Sequence, residues 1–542
     1  MNKYIFGTAL MALCLSSCDD FLDVQPEGNT TTTTYFTNDQ QSIDAVNGLY
    51  ERTHIEQMFG RELFWEQGAA NDIVWGRTRS YPTLATMKYT GDESPIRDSY
   101  SYFYMIMARA NYIIKSLLAK NQLTEIETRS LGESYFMRAF SHFWVAHRYG
   151  TDKLGVPFVR WEDFAGEYDN SIPPQRETVM ENYRLIIEDL DMAMRYLPTF
   201  EEYGADDQGR AHQAAALGYK AKTYAYWATW DESKWNDVIT CVNSLESEYG
   251  RGLADTFDEV FTSDKTKFWN REYLWSIPSD GGTTGGGLEL PGVMLENKGW
   301  GVYNGWGQIK PSNDIYEEML KDGEGNDRIV RSMLTYGQKF MFLGSERTFF
   351  SASDLDSGFQ VYKYHESFGM TDDPIGNGYV NANGNWPTVR INFPLLRMAE
   401  LILFRAEAYL MQNNGAQAAV DINSIRVRSH LDPIQGAATM ADLYHERRCE
   451  LAFEYSNHLF DLKRWHRSSN SDIKALAATE LNSRPTVRYY VDRNDPASSY
   501  TVDYYNDYQD KAPYQDYMMT FPYPSQEVVK SNGQLKQLPE WQ

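Results

Sequence analysis

Apolar side chains recur every three or four residues over long stretches of this chain, and this spacing places them on one face of an α-helix. In the clearest stretch, 124–148, Gly150 follows the last apolar position and predicts the end of the helix. The apolar stripe of that stretch consists of Leu131, Tyr135, Ala139, Phe143 and Ala146. The same spacing predicts further helices at 38–51, 97–120, 177–196, 211–230, 237–249, 394–413, 415–430 and 440–467. The chain is therefore predicted to be mainly α-helical.

Consecutive predicted helices are joined by short turns, and alanines face bulky side chains, as in tetratricopeptide-type helix pairs. The strongest pair is 396–410 followed by 416–428. Its first helix carries one stripe made of Ala399, Leu403, Ala406 and Leu410. No regular period of about 34 residues runs through the sequence. A curved interaction scaffold and a generic helical core are therefore both open interpretations of these pairs.

The helical pattern is interrupted by a long region of different composition. From 250 to 393 the sequence is rich in Gly, Asn and aromatic residues and shows few helical stripes. The tail, 468–542, alternates Tyr, Asp and Pro. We predict a single body, 37–542, whose helical scaffold spans about 37–249 and 394–467. The region 250–393 is the predicted irregular, ligand-binding part.

The N-terminus carries a processing signal. Residues 1–17 contain an apolar run from Tyr4 to Leu15, which suits a signal peptide and is too short to span a bilayer. Small residues lead directly into Cys18, as in bacterial lipoproteins that are acylated on this cysteine. We predict lipidation of Cys18, with 18–36 as the lipidated N-terminus and linker. An ordinary secretory signal that contains cysteines is the alternative.

Two aspartates, Asp19 and Asp20, follow that cysteine and resemble the surface-export signal of Bacteroidetes lipoproteins. In other Gram-negative lineages, an aspartate at this position indicates retention at the inner membrane. The expected location is the outer membrane, with the lipid-anchored protein facing the cell exterior.

The charge of the chain restricts its ligands. The formal net charge is −24 at pH 7, and such a surface repels phosphate backbones. Nucleic acid is therefore not an expected partner, and strongly anionic polysaccharides are disfavoured unless a local basic pocket binds them.

Two cysteines remain in the mature chain besides Cys18. Cys241 and Cys449 are more than 200 positions apart, and two thiols do not make a zinc cluster by themselves. The sequence does not show whether they form a disulfide. Because Cys449 lies in an apolar helical pattern, we expect a buried free thiol there.

Two segments combine aromatic rings with directional polar groups, which is the mixture that carbohydrate binding requires. The apolar face of a pyranose packs on a flat indole or phenol ring, and its hydroxyl rim needs amide, carboxylate or guanidinium groups. The first segment, 66–81, contributes Asn71, Asp72, Trp75 and Arg77. The second segment, 288–308, contributes Trp300, Tyr303, Asn304 and Trp306 between glycines. These eight residues are the predicted ligand-binding set; the alternative is that individual rings fold inward. Asn381–Trp386 is a weaker candidate.

Catalytic motifs do not occur in the expected forms. His445-Glu446 lacks the second histidine of a zinc-protease helix, and neither a nucleophile elbow nor a phosphate-binding loop is present. The charged residues of 446–464 could form a catalytic cluster, but a structural network of ion pairs is the preferred interpretation. We therefore expect no catalytic residues and no enzyme activity.

One loop resembles the start of a calcium site. The stretch 322–327 alternates oxygen ligands, but Asp327 stands where a glycine is needed, and Met333 stands where the last carboxylate is needed. No cofactor or metal is expected, and a structural calcium at this loop stays open.

Several motifs resemble the SusD/RagB family of nutrient-binding outer-membrane lipoproteins. Phe21-Leu22-Asp23 is similar to the family's mature start, and 133–140, which reads ESYFMRAF, looks like its signature helix. The segment 394–409 is similar to its repeat-helix block. The most specific match is 446–465, which contains ERRCELAFE and FDLKRW. The ending, 522–537, also fits the family pattern. Together these matches cover both ends and the middle of the chain and leave 250–390 unmatched, apart from the surroundings of Asp327-Arg328.

The resemblance implies a helical-repeat scaffold with a large irregular region laid over it. It also implies a lid on a SusC-like TonB-dependent transporter that captures oligosaccharides, or in some members peptides, at the cell surface. The two aromatic segments occupy places similar to those where family members hold sugar-stacking rings. A surface glycoside hydrolase and a peptide-binding subunit remain as alternatives.

Overall fold

The computed structural model describes residues 35–75, 82–163, 175–262, 264–278, 307–342, 345–349, 357–364, 391–455, 458–495 and 497–541. The predicted signal peptide and Cys18 lie outside the described residues, as does nearly all of the linker.

The described residues form fifteen α-helices, which account for most of the regular structure. They are α1 Asp39–His54, α2 Pro82–Ala85, α3 Ser94–Leu118, α4 Glu125–Tyr149, α5 Val179–Tyr196, α6 Gln213–Trp227, α7 Trp235–Ser247, α8 Asn313–Leu320, α9 Asp327–Ser332, α10 Met398–Met411, α11 Gly415–Arg428, α12 Met440–Glu450, α13 His458–His466, α14 Ser471–Asn482 and α15 Ser525–Lys530. The predicted mainly α fold is confirmed.

The long helices stack in sequence order, and each one packs on the next. Helix α3 packs on α4, α4 on α5, α5 on α6 and α6 on α7, and α7 then contacts α10, which pairs with α11. Local signals fix their ends. Thr124 and Glu127 form a reciprocal capping box at the start of α4, and Gly150 caps its end. The predicted helix pairs are therefore present as a continuous array.

Helix α4 is buried on every side, whereas its sequence predicts a single apolar stripe. The helix is covered by α1, α3 and α5, so its polar residues face other helices. Arg138 donates two hydrogen bonds to Asp189, at 2.8 and 2.6 Å, and the Arg148 guanidinium contacts the Glu66 carboxylate. Because these charged side chains pair with carboxylates inside the protein, their polarity does not indicate exposure.

Ten short strands form five two-stranded antiparallel ladders in the described residues. The ladders pair β1 Ile73–Trp75 with β3 Ile309–Pro311, β2 Tyr273–Ile277 with β8 Phe393–Arg397, β4 Met333–Thr335 with β7 Phe359–Val361, β5 Lys339–Phe342 with β6 Ser345–Thr348, and β9 Thr486–Tyr490 with β10 Tyr500–Tyr504. Most of these strands belong to the predicted irregular region or lie at its ends.

Two predicted element boundaries differ from the structure. The predicted helix 440–467 is two helices, α12 and α13, because the chain turns after Glu450 and Phe453 adopts a left-handed backbone with φ of 65°. The predicted helix at 394–413 begins four residues later, since 393–397 form a strand. The tail contains α14, α15 and a hairpin, which its sequence pattern did not predict.

Candidate functional site

The two predicted ligand-binding segments meet at the ladder of β1 and β3. Ile73 is opposite Pro311, and Trp75 is opposite Ile309, in antiparallel register. The first segment contains β1, and the second segment ends at Gln308, directly before β3. The two segments therefore lie next to each other at this ladder. The paired residues are 234 to 238 positions apart in sequence, so the tertiary fold brings the two segments together.

The tail holds this ladder in place through two tyrosines. The Tyr505 hydroxyl donates to the carbonyl oxygen of Trp75 at 2.5 Å, and the Trp75 backbone N–H donates to the Tyr508 hydroxyl at 3.3 Å. Tyr508 is fully buried, and burial raises its pKa well above the usual range, so the hydroxyl stays neutral at the edge of the ladder.

The Trp75 ring lies inside the body. The residue is 2% exposed, and its indole packs edge-on against Trp65, with ring centroids 5.1 Å apart. A side chain at Gly68 would run into the same indole, so the ring fills a space that this glycine leaves open. The expectation of an outward-facing ring is therefore not met at Trp75: the short strand β1 is buried at all three positions.

Asn71 and Asp72 are also buried, and both bind the protein itself. The Asn71 side-chain amide donates to the Glu480 carbonyl oxygen at 3.0 Å. The Asp72 carboxylate accepts a hydrogen bond of 2.7 Å from Nε of Arg448 on α12. These contacts attach the start of β1 to α12 and α14. The expectation that the two side chains face a ligand is not met, because internal partners occupy their polar atoms.

The other members of the predicted set lie outside the described residues. These are Arg77, Trp300, Tyr303, Asn304 and Trp306, together with the weaker candidate 381–386. Ligand contact by these residues stays a prediction.

A hairpin that the sequence interpretation missed stands beside the ladder. Strands β9 and β10 pair in register from Thr486 opposite Tyr504 to Tyr490 opposite Tyr500, and every residue of β10 is exposed. β-Branched and aromatic residues favour this extended conformation. On one face of β10, alternate positions are exposed by 43%, 48% and 49%; these are Tyr500, Val502 and Tyr504. We call strands β9 and β10 the tyrosine hairpin.

The tyrosine hairpin rests on the element that follows β3. The Asp314 carboxylate of α8 accepts hydrogen bonds from the backbone N–H and the hydroxyl of Thr486, at 2.6 and 3.0 Å. The guanidinium of Arg488 lies 4.6 Å from the ring centres of both Tyr316 and Tyr500. In each of these cation–π contacts the guanidinium lies over one face of the ring, which fixes the orientation of that ring. The alternation of aromatic residues at 500–504 is the signal that could have identified this face.

The charged block 446–464 forms a buried structural network. Arg397 donates to Glu272, Glu450 and Glu454 at 2.6 to 2.7 Å. Glu446 contacts Arg328 and accepts from Arg426. Burial disfavours the charged form of Glu450, but Arg428, Arg397 and Arg328 outweigh it and hold the pKa of that carboxyl below its usual range. The Glu450 carboxylate therefore stays ionised at neutral pH and belongs to a buried network of ion pairs.

The cavity beside this network is small. It is lined by Gln67, Asp72, Arg448, Phe453 and His458 among others, and it has room for about one water molecule. A pyranose ring does not fit in this cavity.

Cys241 and Cys449 are free and buried, so the alternative of a disulfide between them is excluded.

In the calcium-like loop, 322–327, Asp322 contacts His445 and Arg426, at 3.0 and 2.9 Å. Asn326 caps α9. A calcium ion at this loop stays a prediction.

In the part of the chain that the structure describes, every helix is too short or too polar to cross a membrane.

Comparison with known proteins gives matches over most of the chain. A family model described as the SusD family matches residues 271–541, and a second model, described as starch-binding associating with outer membrane, matches residues 20–225. A SusD-like protein of Bacteroides ovatus is 26% identical over 493 residues, which cover 86% of this chain and 83% of the relative.

Two solved structures share the fold. A SusD-like protein of Bacteroides fragilis superposes with a TM-score of 0.74 at 19% identity, covering 93% of this chain and 98% of the other. A laminarin-binding SusD-like protein gives a TM-score of 0.68 at 20% identity, covering 93% and 99%.

Proposed function

This chain belongs to the SusD family, and from that membership we propose that it captures oligosaccharides at the cell surface. Delivery to a SusC-like TonB-dependent transporter, on which the protein acts as a lid, is part of the proposal. A lipid on Cys18 anchors it in the outer membrane, with the body facing outward. Several acyl chains give stable anchoring, since each buried methylene contributes about 0.8 kcal/mol.

The observation that carries the proposal is the exposed aromatic face of the tyrosine hairpin beside the β1–β3 ladder. Tyr500 and Tyr504 are the tyrosines more than one-third exposed in the described part of the chain, and both are on this strand. Exposed phenol rings on a fixed backbone offer a flat apolar surface with a polar rim, which matches a pyranose. The two predicted ligand-binding segments, 66–81 and 288–308, adjoin the neighbouring β1–β3 ladder.

The chemistry of this surface favours binding over catalysis. The described carboxylates of the central network are buried and paired with arginines, whereas glycoside cleavage needs two carboxyl groups that face one sugar bond. The net charge of −24 favours neutral or weakly charged glycans. The laminarin-binding relative is consistent with a ligand of this class.

Affinity electrophoresis of the mature protein across a panel of polysaccharides tests the proposal. We expect retention by at least one neutral glycan and weaker retention for Tyr500→Ala, Tyr504→Ala, Trp300→Ala and Trp306→Ala, each with an unchanged melting temperature. Val420→Ala is the matched control, because Val420 is 59% exposed on α11, outside this surface.

Three results would contradict the proposal. Retention that none of the four aromatic variants weakens would exclude these rings from the site. Oligosaccharides released during incubation with the panel would identify a hydrolase. Binding to protein digests, and to no glycan, would identify a peptide-binding subunit.

A further inference from the structure

A cluster of four metal-binding side chains lies between α8 and α12, apart from the proposed glycan surface. His445 and Cys449 are one turn apart on α12, so they point to the same side of that helix. Glu318 of α8 and Asp322, two residues past its end, are also four residues apart. The two pairs face each other, and we call them the thiol–imidazole cluster.

The distances inside this cluster suit a single ion. His445 Nδ1 lies 2.7 Å from Glu318 Oε1 and 3.9 Å from Cys449 Sγ, and His445 Nε2 lies 3.0 Å from Asp322 Oδ2. One ligand atom from each of Asp322, His445 and Cys449 falls within 4.8 Å of the others. A tetrahedral ion with bonds of about 2.0 to 2.3 Å holds its ligand atoms about 3.3 to 3.7 Å apart. The ligand atoms of Asp322, His445 and Cys449 therefore have to approach one another by up to about 1 Å, while Glu318 stays on the imidazole nitrogen that does not face Asp322.

The position of the cluster suits an ion that enters from solvent. Cys449 is fully buried, but the His445 side chain is 17% exposed and gives access from outside. The Lys321 ammonium, 2.9 Å from Glu318, belongs to a largely exposed side chain that is free to move away. The inner ligand is thus protected while the outer ones remain reachable.

Neighbouring arginines have acidic partners beyond the cluster. Arg328 and Arg426 both contact Glu446, and Arg448 pairs with Asp72 at 2.7 Å. These arginines also contact the cluster: Arg426 donates to Asp322 at 2.9 Å, Arg328 lies 3.7 Å from Asp322, and Arg448 lies 3.8 Å from Glu318. An ion that binds Asp322 therefore replaces the hydrogen bond from Arg426, which keeps Glu446 as its partner. Asp72, His458 and Glu480 form a second group of possible ligands. There the Arg448 guanidinium lies 2.7 Å from Asp72 and 3.2 Å from Glu480, so it occupies the space between the two carboxylates.

We propose that Asp322, His445 and Cys449 bind one divalent transition-metal ion of the zinc class, with the Glu318 carboxylate orienting the imidazole through its other nitrogen. Sulfur and nitrogen ligands together with carboxylate oxygen select zinc, cobalt or nickel over calcium and magnesium. The thiol and the imidazolium each release a proton to solvent when the ion binds, so affinity falls as the pH falls. The ion ties α8, which supports the tyrosine hairpin, to the ion-pair network of α12.

Metal titration of the mature chain carrying Cys18→Ser tests this site, because Cys241 and Cys449 are then its two thiols. After dialysis against a chelator, we expect one equivalent of Co²⁺ to bind with a thiolate-to-cobalt charge-transfer absorption that Zn²⁺ displaces. Cys449→Ser abolishes the absorption, and His445→Gln weakens cobalt binding at least about tenfold. Cys241→Ser is the matched control, since this buried thiol lies on α7 outside the cluster, and it leaves the titration unchanged.

Zinc should also raise the melting temperature of the parent and of Cys241→Ser, but not that of Cys449→Ser. Absence of a one-equivalent cobalt band overturns the proposal, as does a band that persists in Cys449→Ser or disappears in Cys241→Ser. Should Cys449→Ser fail to fold by circular dichroism, His445→Gln decides: unchanged affinity in that variant also overturns the site. Calcium binding without any cobalt–thiolate signal assigns the cation to the loop 322–327 instead.

Discussion

Replacing Arg397 with methionine tests whether the buried network is held together by charge pairing. Arg397 is 1% exposed and donates to three carboxylates, whereas methionine preserves much of its length without the charge. Glu450 keeps Arg428 and Arg328, and Glu454 keeps Lys363. Glu272 is left with Arg428 at 3.7 Å. Removing one partner from a buried ion pair typically costs about 3 to 5 kcal/mol.

That loss translates into a small but measurable shift in melting temperature. At about 2.1 cal/mol/K per residue, a chain of this length unfolds with an entropy of about 1 kcal/mol/K. The Arg397→Met variant is therefore expected to melt about 3 to 5 °C below the parent at pH 7 in scanning calorimetry. Arg271→Met is the matched control: the Arg271 side chain is 60% exposed and only 4.0 Å from its nearest acid, so its expected change is within about 0.5 kcal/mol.

The pH dependence gives a sharper test of the same reasoning. Burial opposes the charged forms of Glu450 and Glu454, but arginine and lysine partners outweigh it and lower both pKa values in the parent. The parent therefore keeps this stabilisation above the unfolded pKa of about 4.3 and loses it as the pH falls further. Without Arg397 the pKa values of Glu450 and Glu454 are expected to rise. As the pH falls, these carboxyls therefore become protonated, and lose their poorly paired buried charge, at a higher pH in the variant than in the parent.

The difference in unfolding free energy between parent and variant should thus shrink between pH 7 and pH 4.5. Two results would refute the reasoning: a variant as stable as Arg271→Met at pH 7, or a deficit that does not change on acidification. Either would mean that packing, and not charge pairing, holds these helices.

Two further predictions follow from the placement of single residues. Trp75→Ala should lower the free energy of unfolding by about 3 to 5 kcal/mol, because the indole is buried against Trp65. Tyr504→Ala should change the free energy of unfolding by no more than about 0.5 kcal/mol, because this ring is exposed. Urea denaturation measures both values, and equal losses would contradict the assigned burial. Cys18→Ala should move the protein from the membrane fraction to the soluble fraction on cell fractionation, with Cys241→Ala as control, and continued membrane association would refute lipid anchoring.

Sequence periodicity predicted the scaffold well because the signals that define helices are local. Helix α4 is the clearest example, since its capping threonine, apolar spacing and terminal glycine all lie within 27 residues of one another. Its burial on all sides was not predictable, because Arg138 is satisfied by Asp189 from another helix. The break between α12 and α13 was also missed, since neither glycine nor proline marks the left-handed Phe453.

The candidate site was predicted less well, because long-range partners decide which polar and aromatic side chains face outward. Asp72 and Trp75 are residue types typical of a sugar site, but both have internal partners. Arg448 donates to Asp72, and the Tyr508 hydroxyl accepts from the Trp75 backbone N–H. Each partner is more than 370 residues away in sequence, so the sequence did not reveal these contacts. The exposed tyrosines at 500–504 lie in a tail whose pattern indicated no regular structure. Segments 66–81 and 288–308 were predicted as one ligand-binding set, and the β1–β3 ladder brings part of the first segment beside the strand that follows the second. Ligand contact by their remaining residues stays a prediction.

The ladder of β1 and β3 also has a consequence for how relatives diverge. The first aromatic segment contains β1, and the second ends directly before β3, so both adjoin this fixed point. Doubling the length of a flexible insertion costs only about 0.6 kcal/mol in closure entropy. Segments transplanted from a relative between Trp75 and Pro82, or between Pro278 and Gly307, would therefore leave the helical body intact and transfer ligand preference with them.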